Sequence, residues 1–178
     1  MKNIILLLIS FLALFGACKK SKMEEPVVLK NLSQYADKVI DFSSEYSTTH
    51  WSAMQLLGAE NTYPDYGDLT TAWASKTADG QREHLVLEFD TSQFIKQILI
   101  FETFNPGAID TVYINNIETN NWKKVYTSSA NFIAHESSIL EIQIPSESFK
   151  SNRIRIAINS PAVESYNEID AVKIVGTY

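Results

Sequence analysis

Residues 58–71 (GAENTYPDYGDLTT) place Asn61, Asp65, Asp68, Thr70 and Thr71 in one short stretch. Side-chain oxygens at this density can hold a calcium ion, which takes about six to eight oxygen ligands from carboxylates, hydroxyls and carbonyls. The same residue types favour turns with no metal at all, so the spacing alone leaves both readings open. Aromatic side chains are interleaved with them: Trp51, Tyr63 and Tyr66 nearby, and Tyr166 further along. Trp and Tyr rings offer apolar faces to a sugar ring while polar neighbours bond its hydroxyls. A Trp within a long ordered loop can instead be that loop's own core, and this is the role expected of Trp73 in TAWAS. Glu102, close to the turn-forming NPG at 105–107, is a candidate rim residue.

Catalytic sets are missing from the sequence. It has no Gly-x-Ser-x-Gly elbow, no His-Glu-x-x-His and no glycine-rich phosphate loop. His50, His84 and His135 are widely separated, without ligand-like spacing. Asp65 and Asp68 could imitate a hydrolase pair, but a glycosidase also needs a cleft between its two carboxyl groups. The expected class is therefore a binding module and not an enzyme.

The elements that must position these residues read as β. Val39–Phe42, His84–Phe89, Phe94–Phe104, Thr111–Ile117, Trp122–Tyr126, Ile139–Ile144, Arg153–Ile158 and Ile169–Val175 are rich in β-branched, aliphatic and aromatic residues, which predicts about eight strands. Leu85, Leu87 and Phe89 alternate with Val86 and Glu88, and Ile154, Ile156 and Ile158 with Arg155 and Ala157, so each run has one buried face. Ile98–Phe101 is apolar at every position, as a strand covered on both sides would be. The pattern predicts an all-β fold, a β-sandwich or jelly roll. Ser43–Glu83 is a long connection with one short helix expected at Ser52–Leu57, and a loop of that length must be functional or internally packed. Glu168 and Asp170 share one face of the last strand and need a counterion or water, for which Arg153 and Arg155 are candidates.

The N-terminus has a different character. Lys2, an apolar run from Ile4 to Phe15 broken by Ser10, and then Gly16-Ala17-Cys18 resemble a bacterial lipoprotein signal peptide. The run is shorter than the roughly 20 residues that span a bilayer as a helix. Residues 1–17 are expected to be removed, leaving Cys18, the only cysteine, to carry acyl chains such as palmitate. Residues 18–38 are read as the lipidated cysteine and a flexible tether, and 39–178 as the folded domain. Removing Lys2 turns 15 basic and 21 acidic residues into 14 and 21, so the net charge goes from −6 to −7. That balance offers no general attraction for nucleic acid. With its single thiol acylated, the chain has no internal disulfide.

Three blocks carry a family resemblance: YSTTHWSAMQLLGAENTYPDYGDLTTAWAS (46–75), ETFNPGAIDTVYI (102–114) and INSPAVESYNEIDAVKIVG (158–176). Together they resemble the discoidin-like branch of the galactose-binding-domain superfamily. The nearest variant is that of bacterial lipoproteins and outer-membrane proteins, a mitochondrial F-box/leucine-rich-repeat protein and pappalysins. The resemblance implies a jelly roll of about eight strands that binds ligands with loops at one end. It also implies a structural calcium clamping the long loop to the last strand, with Asn61, Asp65, Asp68, Thr71 and Glu168 as ligands. Trp51, Tyr63, Tyr66, Glu102 and Tyr166 are then the candidate ligand-binding residues. The expectation is a lipid-anchored module of the bacterial cell envelope, at the outer membrane with its face open, that recognises carbohydrate or another extracellular polymer. The alternative is a domain that docks a partner protein of the envelope and has no small-molecule ligand.

Overall fold

A computed structural model of the chain describes residues 28–145 and 147–178. The signal peptide, Cys18 and the start of the tether lie outside the described residues. Eight strands follow in order: β1 (Asn31–Tyr35), β2 (Lys38–Phe42), β3 (Glu83–Phe104), β4 (Ile109–Asn115), β5 (Trp122–Thr127), β6 (Ser138–Gln143), β7 (Ser151–Ile158) and β8 (Glu168–Thr177). All pairings between them are antiparallel, and they form the expected β-sandwich.

The two sheets share β3, which is 22 residues long. Its first half pairs with β2 and β7, and that sheet continues through β4 to β5. The register against β7 shifts between Glu88 and Gln93, and from Phe94 onward β3 pairs with β8 and β6, with β1 on the outer edge of β8. The two runs expected at 84–89 and 94–104 are thus one bent strand. One strand was not foreseen: β1 lies inside the stretch read as tether, and its pairing with β8 places the start of the folded body at or before Asn31 and not at Val39. Polar Asn31, Ser33 and Gln34 hide this edge strand, whose ladder needs only one partner. The helix expected at Ser52–Leu57 is a single 3-10 turn, Ala53–Leu56.

Side chains alternate as the pattern requires. Leu85, Leu87, Phe89, Ile154 and Ile156 are fully buried and meet Ile98, Ile100, Val172 and Ile174 from the facing sheet. Each such side chain contributes about 1.5 to 3 kcal/mol by leaving water. Ile98 and Ile100 point into this core, while Phe101 on the other face of β3 is covered by Tyr63, ring centroids 5.3 Å apart. The long connection therefore forms a layer over the C-terminal half of β3. Trp73, 1 % exposed, belongs to the core, exchanges backbone hydrogen bonds with Ile169 at 2.8 and 3.1 Å, and donates its indole N–H to the Ser44 carbonyl. Its packing role is as expected.

Candidate functional site

The acids of β8 anchor the long connection, though in an unexpected division of labour. Asp170 is 1 % exposed, and its carboxylate accepts backbone N–H groups from Asn61 at 3.2 Å, Thr62 at 3.0 Å and Tyr63 at 2.8 Å. Three converging amide donors compensate a buried carboxylate without any counterion. Glu168, also 1 % exposed, accepts the Leu69 N–H through Oε2, while its Oε1 has no hydrogen-bond partner. Burial, reinforced by the Asp68 carboxylate, pushes Glu168 up to about 9. Arg153 is engaged elsewhere, on Glu88 at 2.6 Å, and Arg155 is exposed, so neither supplies the counterion considered from sequence.

The five expected calcium ligands do not converge. They fall into two groups instead of one: Asn61 and Thr71 meet at the Thr62 hydroxyl, Asp68 stands beside Glu168, and Asp65 is exposed. Among the described residues no three His, Cys, Asp or Glu side chains are grouped to hold a metal. Three N–H groups aimed at Asp170 are donors, whereas a cation requires oxygens. The residues therefore do not fit a calcium shell, and the clamp between loop and last strand is the contact of Asp170 with peptide amides.

Beside this clamp, β3 ends in a tight turn that builds an open pocket of about 550 Å³. Tyr66, Phe104 and Phe132 supply rings; Asn105, His135, Glu164 and Ser165 supply polar groups. Asn105 takes the left-handed conformation at φ 43° and Ser165 at φ 75°, conformations a non-glycine residue holds only when its surroundings enforce them. For Asn105 the enforcement is visible. Its side-chain amide donates to the Tyr166 carbonyl at 2.9 Å, its own carbonyl accepts from Asn167 at 3.0 Å, and its Oδ1 accepts the Tyr66 hydroxyl at 3.0 Å. The Tyr66 hydroxyl also lies 3.2 Å from His135 Nδ1, so Asn105, Tyr66 and His135 form one hydrogen-bonded chain. The Tyr66 ring leans on Phe104 with centroids 5.5 Å apart, and His135 packs on Phe132 at 4.8 Å.

The segment carrying Phe132 and His135 is irregular and is held against the turn at 105–107. Asn131 N–H bonds the Gly107 carbonyl at 3.0 Å, and Ile133 N–H bonds that of Pro106 at 3.1 Å. Gly107 sits at φ 108°, and a Cβ there would stand 2.1 Å from the Asn131 carbonyl oxygen. Only glycine permits this approach.

Of the expected ligand-binding residues, Tyr66 lines this pocket. Trp51 and Tyr166 line a separate cavity with Asp68, and Glu102 lines a third beneath Ile133 and Gly107. Tyr63 packs on Phe101 and lines none of these cavities. Glu102 is buried, 3 % exposed, and accepts the Gly107 N–H at 2.9 Å; burial pushes it up to about 7. Sequence reasoning missed Phe104, Asn105, Phe132, His135, Glu164 and Ser165. The Asn-Pro-Gly string marked a turn, but nothing local said that Asn105 itself would be left-handed or that His135 would reach it.

The fold is a galactose-binding-like β-sandwich. Residues 27–178 match the family of the pappalysin-1 SD scarf domain, C-terminal, and the chain belongs to that family. F-box/LRR-repeat protein 4 of Bos taurus is 24 % identical over 175 residues, a match covering 80 % of this chain and 28 % of that protein. The chain thus spans little more than a quarter of that relative. Among solved structures, reduced XRCC1 bound to the DNA pol beta catalytic domain aligns with a TM-score of 0.62 at 15 % identity, covering 82 % of this chain and 99 % of that one. Chitosan-binding module 1 from a chitosanase/glucanase of Paenibacillus sp. IK-5 aligns at 0.59 and 15 % identity, covering 79 % and 96 %.

Proposed function

We propose that this chain is a lipid-anchored binding module of the cell envelope that takes a carbohydrate in the pocket around Tyr66. The observation that carries this reading is the pairing of three ring faces, Tyr66, Phe104 and Phe132, with Asn105, His135 and Glu164 around one open cavity of about 550 Å³. Sugars present apolar ring faces and hydroxyls together, which is the complement of such a surface. That a solved neighbour of this fold is a chitosan-binding module supports the choice of ligand class. The anchor is assigned to Cys18, on the strength of the apolar run and small residues that precede it. A shallow site binds single glycans weakly, and many anchored copies would raise the effective concentration at a surface.

The competing reading is protein docking. It is favoured by exposed Phe132 and Ile133 at the tip beside the pocket, 36 % and 60 % exposed, and by the XRCC1 structure, in which a module of this fold is bound to a protein. Pull-down on insoluble polysaccharides and a glycan array separate the two. The expected result is retention on at least one polysaccharide, lowered roughly tenfold by Tyr66→Ala, which removes a ring and the hydrogen bond that holds Asn105. Retention on none, or retention indifferent to Tyr66→Ala, would favour docking. For the anchor, metabolic labelling with a palmitate analogue is expected to mark the wild-type chain and not Cys18→Ala. Equal labelling of both would remove the anchor.

A further inference from the structure

A second, smaller cavity lies beside the Tyr66 pocket and has a chemistry of its own. It measures about 60 Å³ and is lined by Tyr46, Trp51, Asp68, Ala74 and Tyr166. Ligand pockets usually run to about 300 Å³ or more, so this one has room for a single functional group and not for a sugar ring. Three rings enclose it: Tyr46 meets Trp51 edge-on at 5.1 Å and Tyr166 edge-on at 5.7 Å. Trp51 is left-handed at φ 51°, its N–H bonded to the Thr70 carbonyl and its carbonyl to the Ala74 N–H, so the ring is fixed by backbone on both sides.

Behind this wall of rings the Trp51 indole N–H and the Asp68 carboxylate both stand close to the buried Glu168 carboxyl group, which does not itself line the cavity. No Lys or Arg lines the cavity, while Asp68 stands at its wall. A metal ion would need several more oxygens than this surface offers. Aromatic faces joined to a carboxylate are instead the surroundings that an organic ammonium group prefers.

The neighbouring pocket narrows the choice of carrier. Tyr66 and Ser165 line the large pocket, Asp68 and Tyr166 the small one, and Asn105 in the large pocket bonds the Tyr166 carbonyl at 2.9 Å. The two cavities thus stand on either side of a common wall made by residues 66–68 and 165–166. We infer that the small cavity receives the free ammonium group of an amino sugar whose chain lies in the Tyr66 pocket. This rests on the carbohydrate reading above and adds to it a preference for de-N-acetylated units, since an acetamide has no charge for Asp68 to meet and is too bulky for the space.

Calorimetric titration of the lipid-free chain with glucosamine hexamer and with its fully N-acetylated counterpart tests this. Wild type is expected to bind the free amine about tenfold more tightly, as an ammonium placed among aromatic faces and a carboxylate would. Asp68→Asn, at an exposed position, is expected to bring the ratio of the two affinities to about one. Tyr46→Ala, half exposed, should do the same, which guards against a fold defect in either variant. Equal affinities in wild type, or a preference that survives both substitutions, would overturn the inference while leaving the carbohydrate reading intact. Failure of both hexamers to bind would sink the carbohydrate reading. In that case a change in tryptophan fluorescence on adding a lysine-rich peptide, dependent on Asp68, would reassign the cavity to a protein partner and overturn the amino sugar.

Discussion

Asp170→Ala is expected to lower stability by about 3 to 5 kcal/mol, because it strands three amide donors at once, that of Thr62 fully buried, and leaves a void where a carboxylate stood. Asn61, Thr62 and Tyr63 N–H groups all converge on that side chain, across more than 100 residues of chain. For a domain of this size such a loss corresponds to roughly a 10 °C fall in Tm. Asp170→Asn retains the volume and one acceptor but turns an NH2 group toward donors, so its expected loss is intermediate. Hydrogen exchange should show where the damage falls: amides 61–63 lose protection first, while the core strands exchange only by global unfolding. A chelator is expected to leave the wild-type melt unchanged, since donors and not oxygens face the clamp. A melt lowered by chelator, together with a mild Asp170→Ala effect, would restore a metal to that position.

The second large effect is a pH dependence from Glu102. Burial raises this group from 4.5 to about 7 in the folded chain. The sign follows from proton counting. Between pH 4.5 and 7 the folded state keeps a proton that the unfolded state has released, so stability falls as pH rises through this window and levels off above it. A shift of this size corresponds to about 3 kcal/mol. Glu102→Gln cannot ionise, yet its carbonyl oxygen can still accept the Gly107 N–H. The variant is therefore expected to match wild type in urea melts at pH 4.5 and to exceed it by about 3 kcal/mol at pH 8. A difference independent of pH would show that Glu102 titrates normally.

Much of the architecture was legible because its signal is local. Leu85-Val86-Leu87-Glu88-Phe89 and Ile154-Arg155-Ile156-Ala157-Ile158 bury the side chains their alternation demands. Strand β1 escaped notice since Asn31, Ser33 and Gln34 carry no apolar stripe; its place comes from the free edge of β8. The site was legible only in part. Tyr66 and Asp68 were singled out by type, and so were Trp51 and Tyr166, but their distribution between two cavities was not. Phe132 and His135 sit in a polar stretch whose local pattern is that of an ordinary loop.

What the residues determine by themselves is a set of half-buried strands and one long aromatic and acidic connection. Periodicity and side-chain chemistry act over a few residues, so a linear reading captures them. The tertiary structure decides which buried acid clamps the connection and which meets a cavity. Asp170 and Glu168 lie on the same face of β8 with the same charge, and only the donors brought to each tell them apart: three amides for one, a single amide and an unpaired oxygen for the other. The pocket arises in the same way. Tyr66 finds Asn105 39 positions away and His135 69 positions away, contacts set by loop closure and packing, to which no local pattern is sensitive.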